Sequence, residues 1–147
     1  MINLSKLIIG LLFFKIWVAT ADADYSNLFI PQIKYKGGHS MPYPTAIDSL
    51  LGQIERRTSI ETNRGLTQIA LSYPKLYRYP FIYMAGSREF GKFSAKDIKR
   101  LRNYLSYGGF LLIDDNSSGP NSKFNISVRK MIKALFPQVP LTQISRD

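Results

Sequence analysis

Apolar positions in this chain alternate between short unbroken runs and stretches of helical period. The clearest run is Phe110-Leu111-Leu112-Ile113, entered through Gly108-Gly109 and left through Asp114, Asp115 and Asn116. Four apolar residues in succession predict a strand buried on both faces, the kind that lies in a parallel sheet with helices on each side. Residues 80–86 (Pro-Phe-Ile-Tyr-Met-Ala-Gly) have the same character. Between the two runs, Ile98, Leu101 and Leu105 recur at helical spacing, with Lys96, Lys99, Arg100 and Arg102 facing outward. Ser94, with Asp97 three residues on, approaches a capping box, and Gly108 suits a left-handed helix ending. A strand–helix–strand unit therefore frames the domain.

The other elements are read from the same periods. Residues 27–35 predict a first strand that Pro31 ends, bends or forces to an edge. A turn follows at Lys36-Gly37-Gly38-His39, then a helix over 45–57 with Ile47, Leu50, Leu51 and Ile54 in one stripe. Residues 58–62 predict a short β-branched strand, 67–71 another, and 74–77 a turn of helix. A polar loop over 116–122 precedes a helix over 126–136, carrying Val128, Met131, Ile132 and Leu135 on one face. Residues 141–144 would begin a further strand. With no helix after it, the domain is expected to be incomplete at its C-terminal end.

Residues 1–23 stand apart from this frame. Lys6, the apolar block 7–14 and Ala21-Asp22-Ala23 have the layout of a secretory signal, and 24–147 is then the mature domain. Lys15 interrupts the block before the roughly 20 residues a membrane helix needs. An uncleaved anchor over 7–21 is the alternative, placing the domain at the inner membrane rather than free in the periplasm. The whole chain has 147 residues, one domain's worth, with 20 Lys and Arg against 10 Asp and Glu. Such a surface attracts acidic partners, an envelope protein or an acidic surface. No nucleic-acid motif accompanies it. Cysteine is absent, which excludes disulfides, thiolate metal sites and cysteine nucleophiles.

In an open parallel sheet, ligands bind beyond the carboxyl ends of the strands. Those ends carry Gly37, Gly38 and His39, then Gly86 and Ser87, then Asp114, Asp115 and Asn116. A hydrolase reading would use His39 as base, Ser87 as nucleophile and Asp114 or Asp115 as the group orienting the histidine. A nucleophile elbow, however, needs small residues two positions either side of the serine; Ala85 qualifies and Glu89 does not. Asp114 and Asp115 are also candidate oxygen ligands for a divalent cation, but successive strand residues face opposite ways. No cofactor fingerprint follows any strand, and none is expected.

The pieces Gln32-Ile33-Lys34-Tyr35-Lys36-Gly37-Gly38, Arg57-Thr58-Ser59-Ile60, Tyr79 to Gly86, Leu101-Arg102-Asn103-Tyr104-Leu105, Gly108 to Asp115, Val128-Arg129 and Phe136-Pro137 together resemble a known family. It is a bacterial family of exported or membrane-anchored proteins, domain of unknown function 4159, grouped with class I glutamine amidotransferase-like domains. The resemblance implies a flavodoxin-like three-layer α/β sandwich with a mostly parallel sheet. Amidotransferase chemistry requires a cysteine that this chain lacks. Members often carry histidine after the glycine matching Gly86, where this chain has Ser87. The expected role is a non-catalytic binding or scaffold module of the cell envelope. A hydrolase built on His39, Ser87 and Asp114 is one alternative, a truncated product with little activity another.

Overall fold

The computed structural model describes residues 27–119 and 121–145. The signal or anchor expected over 1–23 lies outside them. The order is β1 (Gln32–Ile33), α1 (Ala46–Arg57), β2 (Gln68–Ile69), a 3-10 turn (Leu76–Arg78), β3 (Phe81–Gly86), α2 (Ala95–Ser106), β4 (Phe110–Asp115) and α3 (Lys123–Leu135). The four strands form one sheet, ordered β2-β1-β3-β4, and every pairing is parallel. The described residues thus form an α/β domain with an all-parallel sheet and three helices. Among the described residues, no helix is long and apolar enough to cross a membrane.

Alternation along β3 sends its side chains to two separate cores. Ile82 and Met84 join Ile33, Leu101, Tyr104, Phe124, Met131 and Leu135 beneath α2 and α3. Tyr83 and Ala85 face the other way and pack with Ile30, Ile47 and Leu51 under α1. α2 starts as its sequence predicts, with Ser94 Oγ accepting from the Asp97 N–H at 3.1 Å, and ends next to Gly108 at φ 94°. α3 begins about a turn earlier than its stripe indicated, because Ser122 caps it and Phe124 enters the core. In α1, Ile47 and Leu51 are buried, but Leu50 is 37 % exposed at the edge of the stripe.

Other expectations are corrected. β4 is an edge strand, not one buried on both faces: Leu111 and Ile113 pack inward, whereas Phe110 is 56 % and Leu112 39 % exposed. The cause is that α1 covers β1 and β3 but does not reach across to β4. Phe110 instead stacks on Phe81 of the neighbouring strand, centroids 4.9 Å apart. The strand expected over 27–35 shrinks to Gln32–Ile33, interrupted by Pro31, with Leu28 making only an isolated bridge to Thr62. That bridge is all that forms of the strand over 58–62. Residues 141–144 form no strand; Leu141 and Ile144 are exposed, 55 % and 90 %.

Arg102 does not lie outward as its place on the polar side of α2 predicted. Its guanidinium donates to the carbonyls of Leu135 (Nε, 2.7 Å) and Ala134 (Nη2, 2.9 Å), where the α3 ladder runs out of donors. A cation there also complements the helix dipole. Arg102→Met keeps the apolar stem and removes both bonds. It should lower stability by about 1–2 kcal/mol, seen as an earlier urea midpoint with an unchanged slope. A variant as stable as the parent would show that the fork contributes nothing.

Candidate functional site

The carboxyl ends of β1 and β3 lie side by side at the centre of the sheet, where the chain leaves β1 for α1 on one face and β3 for α2 on the other. Here Gly37, Gly38 and His39 take positive φ in succession (76°, 72° and 53°). Glycine adopts that region freely; histidine does so at a cost that only firm surroundings offset. The surroundings are firm. The Gly38 carbonyl accepts the N–H of Ser87 (2.9 Å) and of Arg88 (3.1 Å), and the Gly38 N–H donates to Glu89 O at 3.0 Å. Buried Gln32 reaches the Ser40 carbonyl from below. The two loops are thereby clamped together, and His39 Nδ1 sits 2.9 Å from Ser87 Oγ.

The floor is aromatic. Tyr35 Oη donates to the Ala85 carbonyl at 2.5 Å, and burial pushes this phenol up to about 12. A Cβ at Gly86 would overlap the Tyr35 hydroxyl and the Phe124 ring, so the rim demands glycine at the strand end. Phe90 packs against Tyr35, Phe93 and Phe124 at 5.1, 5.9 and 5.5 Å between centroids.

The acidic end of β4 is employed differently. Both aspartates belong to the strand, and their carboxylates point to opposite faces. Asp114 Oδ2 accepts from Tyr83 Oη at 2.8 Å and from Asn116 Nδ2 at 3.1 Å. Burial first, then the bond to Asp114, raises the Tyr83 phenol well above its ordinary range. Asp115 Oδ1 accepts from the Ser117 N–H (3.0 Å) and from the Ser117 hydroxyl; its Oδ2 accepts from Ser122 Oγ at 2.7 Å. Ser122 is the residue that caps α3, so Asp115 ties the strand end to the helix start. Neither carboxylate bonds to His39, and the described residues contain no group of three His, Cys, Asp or Glu placed to hold a metal ion.

The structure therefore brings His39 and Ser87 together and leaves Asp114 and Asp115 to other partners. Arg88 N–H is the donor an α/β-hydrolase would aim at an oxyanion, and here it is held by the Gly38 carbonyl. Ser87 also opens an eight-residue loop, 87–94, instead of a sharp turn into a helix. What the arrangement can do is present an imidazole and a hydroxyl to a ligand from a rigid platform. Sequence reasoning passed over Gln32, Tyr35, Tyr83 and Phe90, which position the rim. Their pattern is that of ordinary core residues; the polar tips of Gln32, Tyr35 and Tyr83 and the packed ring of Phe90 do the positioning.

Fold and rim define a parallel α/β domain with a polar site at the carboxyl edge of its sheet. The chain belongs to the family Domain of unknown function (DUF4159), which matches residues 29–147. No curated protein matches it.

The Asp115 carboxyl titrates below its usual range: burial raises it, and the hydrogen bonds from Ser117 and Ser122 outweigh that effect. Its contribution to stability is therefore fully present above the unfolded value of about 4 and is lost as pH falls through the lower folded value. Asp115→Asn should shrink the stability lost between about pH 5 and pH 2, followed by urea midpoints across that window. An acid limb identical to the parent's would rule out this coupling.

Proposed function

We propose that this chain is an exported, flavodoxin-like envelope domain that binds an acidic partner or ligand at the His39–Ser87 rim without turning it over. The strand order 2-1-3-4 supports the architecture, since it is the opening of the flavodoxin order, whose ligand lies at the β1/β3 switch point. Gly37, Gly38 and His39 flank that point on one side and Gly86 and Ser87 on the other. Asn116, after β4, completes the polar rim; its Oδ1 is buried with no partner among the described residues, an acceptor suited to a hydroxyl donor. Lys36 and Arg88, each adjacent to a rim residue, are exposed, and they favour an acidic partner. The signal-like layout of residues 1–23 supports export.

The observation that carries the non-catalytic reading is the Gly38 carbonyl. It occupies both the Ser87 and Arg88 N–H groups, so neither is free to serve an oxyanion, and among the described residues no carboxylate orients His39. The 2.9 Å His39–Ser87 contact is the one feature that favours the second reading, a hydrolytic dyad. A fluorophosphonate probe separates the two. The binding reading expects Ser87 to stay unmodified. It also expects anions found by thermal-shift screening to bind about ten-fold more weakly to His39→Ala, which loses one charge-assisted or neutral hydrogen bond. Labelling of Ser87 that disappears in His39→Ala would establish the dyad instead.

A further inference from the structure

On the α2/α3 side of the sheet, the loop after β3 and the two helices line a partly open cavity of about 630 Å³. That lies within the range of small-molecule pockets, roughly 300–1,000 Å³. Its walls are apolar: Phe90 and Phe93 from the loop, Ile98 from α2, Met131 and Ala134 from α3. The Phe90 ring cannot collapse inward, because Tyr35, Phe93 and Phe124 hold it, and its N–H is anchored to buried Ser127 Oγ at 3.3 Å. Two exposed lysines, Lys92 and Lys130, are among the lining residues and have no ion-pair partner among the described residues. Glu89 is the single carboxylate there, so the lining carries one net positive charge.

We infer that this cavity binds a monoanionic amphiphile, a medium-chain carboxylate being its simplest form. The hydrocarbon body lies against the phenylalanine wall and the methionine, where each methylene removed from water tightens binding about four-fold. The carboxylate meets Lys92 and Lys130, two cations that no described acid pairs and that outnumber the one lining carboxylate, Glu89. A neutral body alone would leave both ammonium groups unused; a polyanion would place further charge against the apolar wall. Phe90 is shared with the floor of the rim, but neither His39 nor Ser87 lines the cavity, so His39→Ala with Ser87→Ala should leave this binding unchanged.

The test is isothermal titration of the full chain with dodecanoate, octanoate and dodecanol, each below its aggregation limit. One-site binding is expected, dodecanoate tighter than octanoate, and dodecanol about ten-fold weaker than dodecanoate. Lys92→Gln combined with Lys130→Gln should erase the preference for the acid over the alcohol. Ala134→Phe, which introduces a ring from an exposed helix position, should abolish binding with an unchanged melting curve. If that variant melts early, the lysine pair alone decides. Equal affinity for acid and alcohol in the parent, or parental binding by well-folded Ala134→Phe, overturns the inference.

Discussion

The close approach at Gly86 is the constraint on which the rest of this structure depends. There the Tyr35 hydroxyl from the end of β1 and the Phe124 ring from α3 meet the end of β3, and no side chain would fit between them. Because Tyr35 bonds the Ala85 carbonyl, the end of β1 is fixed against β3, although β1 itself has only two residues. Because Phe124 is pinned, α3 must begin where Ser122 and Asp115 can bond, immediately after the loop that follows β4. One contact thus sets the order of three strand ends and the position of a helix.

The rim inherits its rigidity from that contact. Three left-handed residues in succession would be unfavourable in a free loop, and here the Gly38 carbonyl and N–H, the Gln32 amide and the bridge from Gly37 to Phe90 hold them. The same clamp that brings His39 to Ser87 takes up the backbone donors that acyl transfer would need.

The sheet is asymmetric for a related reason. α2 and α3 span β1, β3 and β4 on one face; among the described residues, α1 covers the other and packs on Ile30, Tyr83 and Ala85. Phe110 and Leu112 consequently sit half out of the core, although their sequence run looks like that of Phe81 to Ala85. The cavity beside Phe90 lies on the better-covered face, between residues of α2 and α3 and an aromatic cluster.

The sequence by itself determined the strand–helix–strand frame, the caps at Ser94 and Gly108, and the residues that stand at the strand ends. These depend on local period and local hydrogen bonding, which a linear reading contains. Tertiary structure alone decided that β4 is an edge, that Pro31 leaves only two paired residues in β1, and that 141–144 does not pair. Burial of a strand face depends on what lies across it, and the apolar run of Phe110 to Ile113 reads alike in either case. The hydrolase reading of the sequence required His39 beside Ser87, which the fold provides, and beside an aspartate, which it does not: Asp114 bonds Tyr83 and Asn116 instead. The His39–Ser87 and Tyr83–Asp114 contacts run between residues 48 and 31 positions apart, set by packing beneath Gly86 and not by any spacing along the chain.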